Sequence, residues 1–163
     1  MRQYGFTYVM VLAAVVIVGI AAEVAHVATW RVVRAERESE LLFRGEAYVR
    51  AIQSYYQAGV VKTYPRSLED LLHDPRYPDR RHIRELYRDP MAADARGEWV
   101  LLRAPDGGIA GVASASRDAP LKHANFPAAF ERFSDAKSYA EWIFEFRPIQ
   151  SAATPAPKPS IPH

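Results

Sequence analysis

The sequence predicts an α+β fold in which one long N-terminal helix packs on a small antiparallel β-sheet. Two observations support this class. Residues 1–58 contain no proline and follow a largely continuous helical pattern, whereas later segments are short apolar runs bounded by turn residues. A helical region followed by strands, without regular alternation of the two, is typical of α+β proteins.

The first part of the predicted helix is strongly apolar. Residues 1–5 form a short polar leader, and an uncharged apolar run covers residues 6–22. Extended through Trp30, with aromatic residues near both ends, this run reaches the length of a membrane span. We therefore expect residues 6–30 to form a transmembrane helix segment.

Residues 31–58 continue the helix with a single apolar stripe. The stripe has spacings of four, three, four and three residues, and it consists of Leu41, Gly45, Tyr48, Ile52 and Tyr55. This spacing predicts that the stripe docks on the globular core. The mostly charged residues before Leu41 are expected to project as an exposed helix, and Gly59 is expected to end it.

Two short helices are predicted next. Ser67, with Asp70 three residues later, resembles a capping box at the start of a helix. Residues 73–80 contain prolines and aspartates and are predicted to form a loop. A second short helix is predicted around His82–Tyr87.

Three strands complete the predicted fold, at residues 98–103, 108–114 and 142–147. Pro105-Asp106-Gly107-Gly108 is a strong turn signal and predicts a hairpin of the first two strands. The third strand alternates aromatic and other side chains, which predicts one face on the core. Residues 148–163 contain five prolines and no apolar period, so they are expected to form a disordered tail.

Composition and motifs exclude several functions. The net charge is +2 with both signs mixed along the chain, unlike the basic face of nucleic-acid-binding proteins. The chain has no cysteine, so thiol catalysis, thiolate metal sites and disulfides are excluded. The five histidines are scattered and are expected at the surface or at an interface, and Ser114 and Ser116 lack a nucleophile-elbow pattern. We expect no catalytic residues.

Several short motifs point to a family. They are Gly5-Phe6-Thr7 at the start of the apolar helix, Tyr64-Pro65-x-Ser67-Leu68, Tyr87-x-Asp89-Pro90, and Trp99 followed by Gly108-Ile109-x-Gly111-Val112 with Ser114 and Ser116. With them, residues 1–147 resemble type IV pilin-like proteins, and in particular the major-type (G-type) pseudopilins of type II secretion systems.

This resemblance implies a structural role in protein export. A prepilin peptidase would cleave after Gly5 and methylate the amine of Phe6. The subunit would cross the bacterial inner membrane once, with residues 31–147 as a periplasmic domain. It would assemble with other pseudopilins and inner-membrane secretion components into a homo- or hetero-oligomeric filament.

One position departs from the family. The fifth residue of the mature chain is usually Glu, which is thought to pair with the amine of a neighbouring subunit, whereas this chain has Met10. A carboxylate in lipid is costly and is retained for function. Its absence favours a minor, initiating or divergent subunit. A minor type IV pilin and an unprocessed single-pass membrane-anchored binding or sensor domain remain open as alternatives.

The charges beside the expected span conflict with this topology. Arg31, Arg34 and Arg37 follow it and only Arg2 precedes it, so the positive-inside rule places the C-terminal domain in the cytoplasm. The processing junction favours the periplasm, because the peptidase acts on the cytoplasmic side.

Calcium is the one cofactor that the resemblance raises, because major pseudopilins can hold it in a loop near the sheet. Asp89, Asp94, Asp106 and Asp118 lie in predicted loops, where calcium could find carboxylates. Their spacing is unlike that of an EF-hand, and loop aspartates commonly form turns. We therefore assign no metal ligand and expect no cofactor.

Overall fold

The computed structural model describes the backbone of residues 4–148 and the side chains of residues 8–20 and 30–148. Within this part of the chain the fold is α+β, with a long N-terminal helix and a three-stranded antiparallel sheet, as predicted. Most of the leader and, apart from Pro148, the predicted disordered tail lie outside the described residues.

Helix α1, Tyr4–Ala58, is 55 residues long and ends directly before Gly59. No proline interrupts it. The predicted apolar stripe is confirmed, because all five of its residues are buried. Leu41, Tyr48 and Ile52 are fully enclosed, at 0% exposure.

The chain divides into two compact units. The first contains the chain up to Glu46, Tyr87–Val100 and Ala113–Ile143, and the second contains Ala47–Leu86, Leu101–Val112 and the chain from Phe144 onward. Helix α1 contributes its first part to one unit and its last turns to the other.

Aromatic rings fill much of the core of the first unit. Two 3₁₀ helices, Ala128–Asp135 and Tyr139–Glu141, present them. Phe133 lies between Phe130 and Trp142, with ring centroids 5.2 and 5.3 Å apart in stacked arrangements. No helix was predicted here, since 3₁₀ segments are too short to produce a clear periodicity.

The second unit contains the last turns of α1, the short helix α2 (Glu69–Leu72) and most of the sheet. The strands are β1 (Val100–Arg103), β2 (Ile109–Ala113) and β3 (Ile143–Glu145), in the order β1-β2-β3. All three lie inside the predicted ranges. Every residue of the central strand β2 is buried.

Close backbone approach explains one glycine of β2. A Cβ on Gly111 would overlap the Phe144 carbonyl oxygen and lie 2.7 Å from Cα of Glu145. Only glycine lets β2 and β3 come this near to each other. In β3 itself Phe144 is fully buried, so the predicted core-facing alternation is confirmed.

The local signals around α2 were only partly correct. Asp70 accepts hydrogen bonds from the Ser67 amide and hydroxyl, both 3.1 Å long, but Leu68 is the residue that precedes the helix. The second short helix, predicted at His82–Tyr87, is wrong: the segment is irregular. The amides of His82 and Ile83 bind the Leu71 carbonyl at 2.8 and 3.2 Å, and this tertiary anchoring overrides a weak helical propensity.

Candidate functional site

The N-terminal part of α1 exposes an apolar surface on all sides. Large apolar side chains between Tyr8 and Ile20 are each at least 54% exposed. They include neighbouring positions such as Val15, Val16, Ile17 and Val18, which point in all directions around a helix. No face of residues 8–20 is therefore covered by the described part of the chain.

Within the described residues, no helix combines the length and the apolar character needed to cross a membrane. The predicted span of residues 6–30 includes residues 6, 7 and 21–29, whose side chains lie outside the described set. The span therefore stays a prediction.

The predicted processing and assembly positions all lie on this helix. Gly5 and Phe6 belong to its first turn, where the structure describes the backbone only. Met10, at the position that is usually Glu in the family, is 66% exposed. Residues 8–20 contain no ionisable side chain other than Tyr8.

Further along α1, the charged stretch that was expected to be exposed contains a buried acid. Glu38 is 4% exposed. Its carboxylate accepts hydrogen bonds from the backbone amides of Leu121 (2.7 Å) and Lys122 (3.0 Å) and from the hydroxyl of Tyr139 (2.7 Å). The prediction that this charged part of α1 is exposed is therefore wrong at Glu38. The carboxylate can be buried because these three donors replace the water that it loses.

Arg34, one turn earlier, attaches the same loop. Its guanidinium donates to the Ala119 carbonyl at 3.0 Å and lies 3.5 Å from the carboxylate of Asp118. The guanidinium also lies over the rings of Trp30 and Tyr139, 4.9 and 5.7 Å from their centroids. The side chains of one helical turn thus hold residues 118–122 against α1.

Burial changes the acidity of Tyr139. Removal from water and then the hydrogen bond to Glu38 raise the pKa of the Tyr139 phenol to about 12. Both causes favour the neutral phenol, which is the form that donates to Glu38.

The sequence contained a signal for Glu38 that the sequence analysis did not use. Glu38 lies three residues before Leu41, so it continues the three-and-four spacing of the buried stripe. An acidic residue in register with a core-facing stripe indicates a buried, hydrogen-bonded carboxylate. Its partners could not be identified, because they lie more than 80 residues away.

A second buried carboxylate belongs to a residue of the family-like motifs. Asp89 is 4% exposed and accepts hydrogen bonds from the Ser114 hydroxyl (2.8 Å), the Ala115 amide (3.0 Å) and the Met91 amide (2.9 Å). Nearby, the Trp99 indole donates to the Tyr87 carbonyl at 2.9 Å. Ser114 thus serves as a donor to a structural carboxylate.

The other three aspartates considered for calcium each have a separate partner. Asp94 accepts the Gly97 amide at 3.1 Å, Asp106 accepts the Gly108 amide at 3.0 Å, and Asp118 pairs with Arg34. In the described part of the chain, no three histidine or acidic side chains form a group suited to a metal ion. The interpretation of these aspartates as turn residues is confirmed for Asp94 and Asp106.

The second unit contains a further buried carboxylate that the sequence analysis missed. The side chain of Asp74 is fully enclosed, and Arg76 binds it with two hydrogen bonds, Nε to Oδ1 at 2.9 Å and Nη2 to Oδ2 at 2.8 Å. Arg76 Nη2 also donates to the Tyr55 carbonyl in the last turn of α1, at 2.8 Å. The hydrogen bonds from Arg76 hold the pKa of Asp74 well below its usual range.

Among the three histidines whose burial the structure describes, His82 is the exception. Its ring is fully enclosed and its Nε2 lies 3.1 Å from Oδ2 of Asp74, so the expectation of a surface histidine is wrong here. His73 and His123 are exposed as predicted. Asp74 and His82 both lie in the segment after α2, which has no regular periodicity, so no sequence pattern pairs them.

No protein family model matches the chain, and neither a curated protein nor a solved structure is detectably similar to it. Its function must therefore be inferred from the residues and geometry described above.

Proposed function

We propose that this protein is a structural subunit, a pilin-like pseudopilin of a type II secretion system. The observation that supports this role most strongly is the division of α1. Its apolar side chains are exposed on all sides from Tyr8 to Ile20, whereas from Glu38 onward one face is buried. An exposed apolar surface of this extent needs lipid or other apolar helices around it.

A helix of this kind suits a subunit that moves from a membrane into a filament. Lipid tails are as apolar as the side chains of the helix, so exchanging lipid for neighbouring apolar helices costs little hydrophobic free energy. The docked half of α1 would keep the folded units attached during this transfer. The proposed location is the bacterial inner membrane, with the C-terminal domain in the periplasm.

The proposed maturation uses the junction between Gly5 and Phe6. A prepilin peptidase would remove residues 1–5 and methylate the new amine of Phe6, leaving the whole apolar helix on the mature chain. Other pseudopilins and inner-membrane secretion components are the proposed partners.

The mass of the mature chain tests this proposal. In cells with an active prepilin peptidase, we expect loss of residues 1–5 and one methyl group on Phe6. Intact mass spectrometry of the purified chain measures both changes, and cells that lack the peptidase provide the control. A full-length, unmethylated chain in peptidase-active cells would contradict the proposal and favour an unprocessed membrane-anchored binding or sensor domain.

The substitution Met10→Glu tests whether the missing carboxylate limits assembly. We expect more Met10→Glu subunit in sheared filament fractions than wild type, because the carboxylate can pair with a neighbouring N-terminal amine. Met10→Gln is the matched control, since it has the same shape without the charge. Equal incorporation of the three chains, with processing intact, would exclude this contact as the limiting one.

A protease-accessibility assay tests the orientation against the arginines that follow the predicted span. In spheroplasts, we expect an added protease to degrade residues 31–147, because this domain would face the periplasm. Protection until the inner membrane is permeabilised would place the domain in the cytoplasm, as Arg31, Arg34 and Arg37 indicate.

A further inference from the structure

Three side chains in the second unit form a hydrogen-bonded series. Ser54 Oγ lies 2.8 Å from His82 Nδ1, and His82 Nε2 lies 3.1 Å from Asp74 Oδ2. Ser54 belongs to α1, whereas His82 and Asp74 belong to the segment that follows α2. The series connects a hydroxyl, an imidazole and a carboxylate, in the order that activates a serine in hydrolytic enzymes.

The surroundings of Asp74 determine the direction of these hydrogen bonds. Because Arg76 donates to both of its oxygens, Asp74 is ionised and can only accept. The proton between Asp74 and the neutral imidazole therefore lies on His82 Nε2. His82 Nδ1 then has a lone pair, and the hydroxyl of Ser54 donates to it.

The proposed base and the hydroxyl differ in their exposure to solvent. The side chains of Asp74 and His82 are fully enclosed, so water does not compete for their hydrogen bond. Ser54 is exposed and lines a shallow surface cleft of about 580 Å³. The hydroxyl at the end of the series is therefore the part that an external molecule can reach.

The cleft has a basic lining. Its described lining residues include three arginines and two glutamines but no acid; they are Arg50, Gln53, Ser54, Gln57, Ala58, Arg80 and Arg81. Arginines favour carboxylate and phosphate groups, and the glutamine amides can donate to a developing oxyanion. The lining thus favours a substrate with a negative charge near its reacting carbonyl.

We propose that Ser54 is a nucleophile, with His82 as its general base, that acts on esters carrying a carboxylate or phosphate group. Ser54 Oγ forms a bond to the ester carbonyl carbon, and its proton passes to His82 Nδ1. The carbon–oxygen bond to the alcohol breaks, and the departing alkoxide takes that proton. A water oxygen then forms a bond to the acyl carbon as one of its protons passes to His82 Nδ1. The bond between that carbon and Ser54 Oγ breaks, and Oγ takes the proton from His82, so the carboxylic acid leaves and the Ser54 hydroxyl is restored.

This activity is separate from the proposed filament role. It uses residues of the second unit that the processing of Gly5 and the exposed apolar helix do not require.

A biotin-linked fluorophosphonate tests the reactivity of Ser54 in the full chain in detergent micelles. We expect labelling of Ser54 at one group per chain, located by peptide mass spectrometry, and its loss in Ser54→Ala. Ser39→Ala is the matched control, because Ser39 is an exposed serine on the same helix, and it should leave labelling unchanged. His82→Gln should slow labelling at least about 100-fold, as expected when a general base is lost.

The solvent isotope effect on labelling keeps the test decisive if His82→Gln fails to fold. The wild-type rate should be lower in D₂O than in H₂O, because the Ser54 proton passes to His82 as the new bond forms. Three results would overturn the proposal: no more labelling of Ser54 than of Ser39, wild-type labelling in folded His82→Gln, or an equal rate in the two solvents.

Two esters test the substrate class. The anionic 4-nitrophenyl hemisuccinate should be hydrolysed faster than the neutral 4-nitrophenyl butyrate, and Ser54→Ala should abolish the difference. The double substitution Arg80→Gln/Arg81→Gln should lower this preference about threefold, the size expected of exposed ion pairs. An equal rate for both esters on the wild-type chain would remove the assignment to anionic substrates.

Discussion

Glu38 and Asp74 are both buried carboxylates that connect α1 to a loop, but their partners differ in charge. Glu38 is on the helix and accepts from two loop amides and the Tyr139 hydroxyl, all of them neutral donors. Asp74 is on a loop and binds the guanidinium of Arg76, which in turn binds the end of the helix at Tyr55.

The two carboxylates differ in the unpaired groups that remain when each is replaced. Removing the charge of Glu38 leaves neutral donors without an acceptor, and some of these can be rehydrated. Removing the charge of Asp74 leaves Arg76 cationic and partly enclosed beside His82, without its counter-ion. Each carboxylate anchors a loop to α1, and we expect the ion-paired anchor at Asp74 to be more sensitive to substitution than the anchor at Glu38.

Asp74→Asn should give the largest loss of stability. We expect the free energy of unfolding to fall by about 3 kcal/mol, at the lower end for a broken buried ion pair, because a quarter of the Arg76 side chain is exposed. Urea denaturation of the full chain in detergent, followed by tryptophan fluorescence, measures it. Asp79→Asn, at an exposed position of the same loop, is the control and should change little.

Acid should reduce the difference between wild type and Asp74→Asn. The pKa of Asp74 is lower in the folded chain than in the unfolded chain, so its stabilisation is fully present above the unfolded pKa of about 4. As the pH falls below that value, the unfolded chain takes up the proton first and the stabilisation is lost. A difference that stays constant from neutral pH to about pH 3 would show that the charge of Asp74 does not stabilise the fold.

Glu38→Gln should have a smaller effect. An amide offers one acceptor oxygen in place of two, and its NH₂ group would face a donor, so at least one of the three hydrogen bonds is lost. We expect a loss of about 2 kcal/mol in the same denaturation experiment. Glu36→Gln is the control, because Glu36 is exposed two residues earlier on α1. Equal effects at both positions would contradict a role for the buried hydrogen bonds.

The two anchors differ also in how far the sequence predicts them. The helix, its buried stripe and the three strands follow from local periodicity and turn residues, so the fold class could be predicted. Glu38 is in register with that stripe and could have been recognised as buried. Asp74 has no such register, because it lies in a loop whose conformation depends on Arg76 and on the end of α1.

The residues of the candidate sites also show how far the sequence alone can predict the structure. The apolar character of residues 8–20 was evident from the sequence, since it depends on each residue alone. The approach of Ser54 to His82 was not, because it depends on how an irregular segment is anchored to Leu71. A helix was predicted at that segment from local propensity, which contains no information about this tertiary hydrogen bond.

Tyr139→Phe should give the smallest effect and isolate one donor of the Glu38 anchor. Two backbone amides still bind the carboxylate, so we expect a loss of about 1 kcal/mol at neutral pH. The substitution should also change how the free energy of unfolding falls at alkaline pH. The folded-state pKa of Tyr139 is raised to about 12, so its stabilisation is present below the unfolded pKa of about 10 and is lost as the pH rises toward 12.

Denaturation curves at several pH values between about 9 and 12 test this expectation. Wild type should lose more stability over this range than Tyr139→Phe, which has no phenol to ionise at this position. Tyr77→Phe, at a 37% exposed tyrosine in the second unit, should follow the wild-type curve. If Tyr139→Phe follows it as well, the phenol of Tyr139 is not the alkaline-sensitive part of this anchor, and the two backbone amides alone hold Glu38.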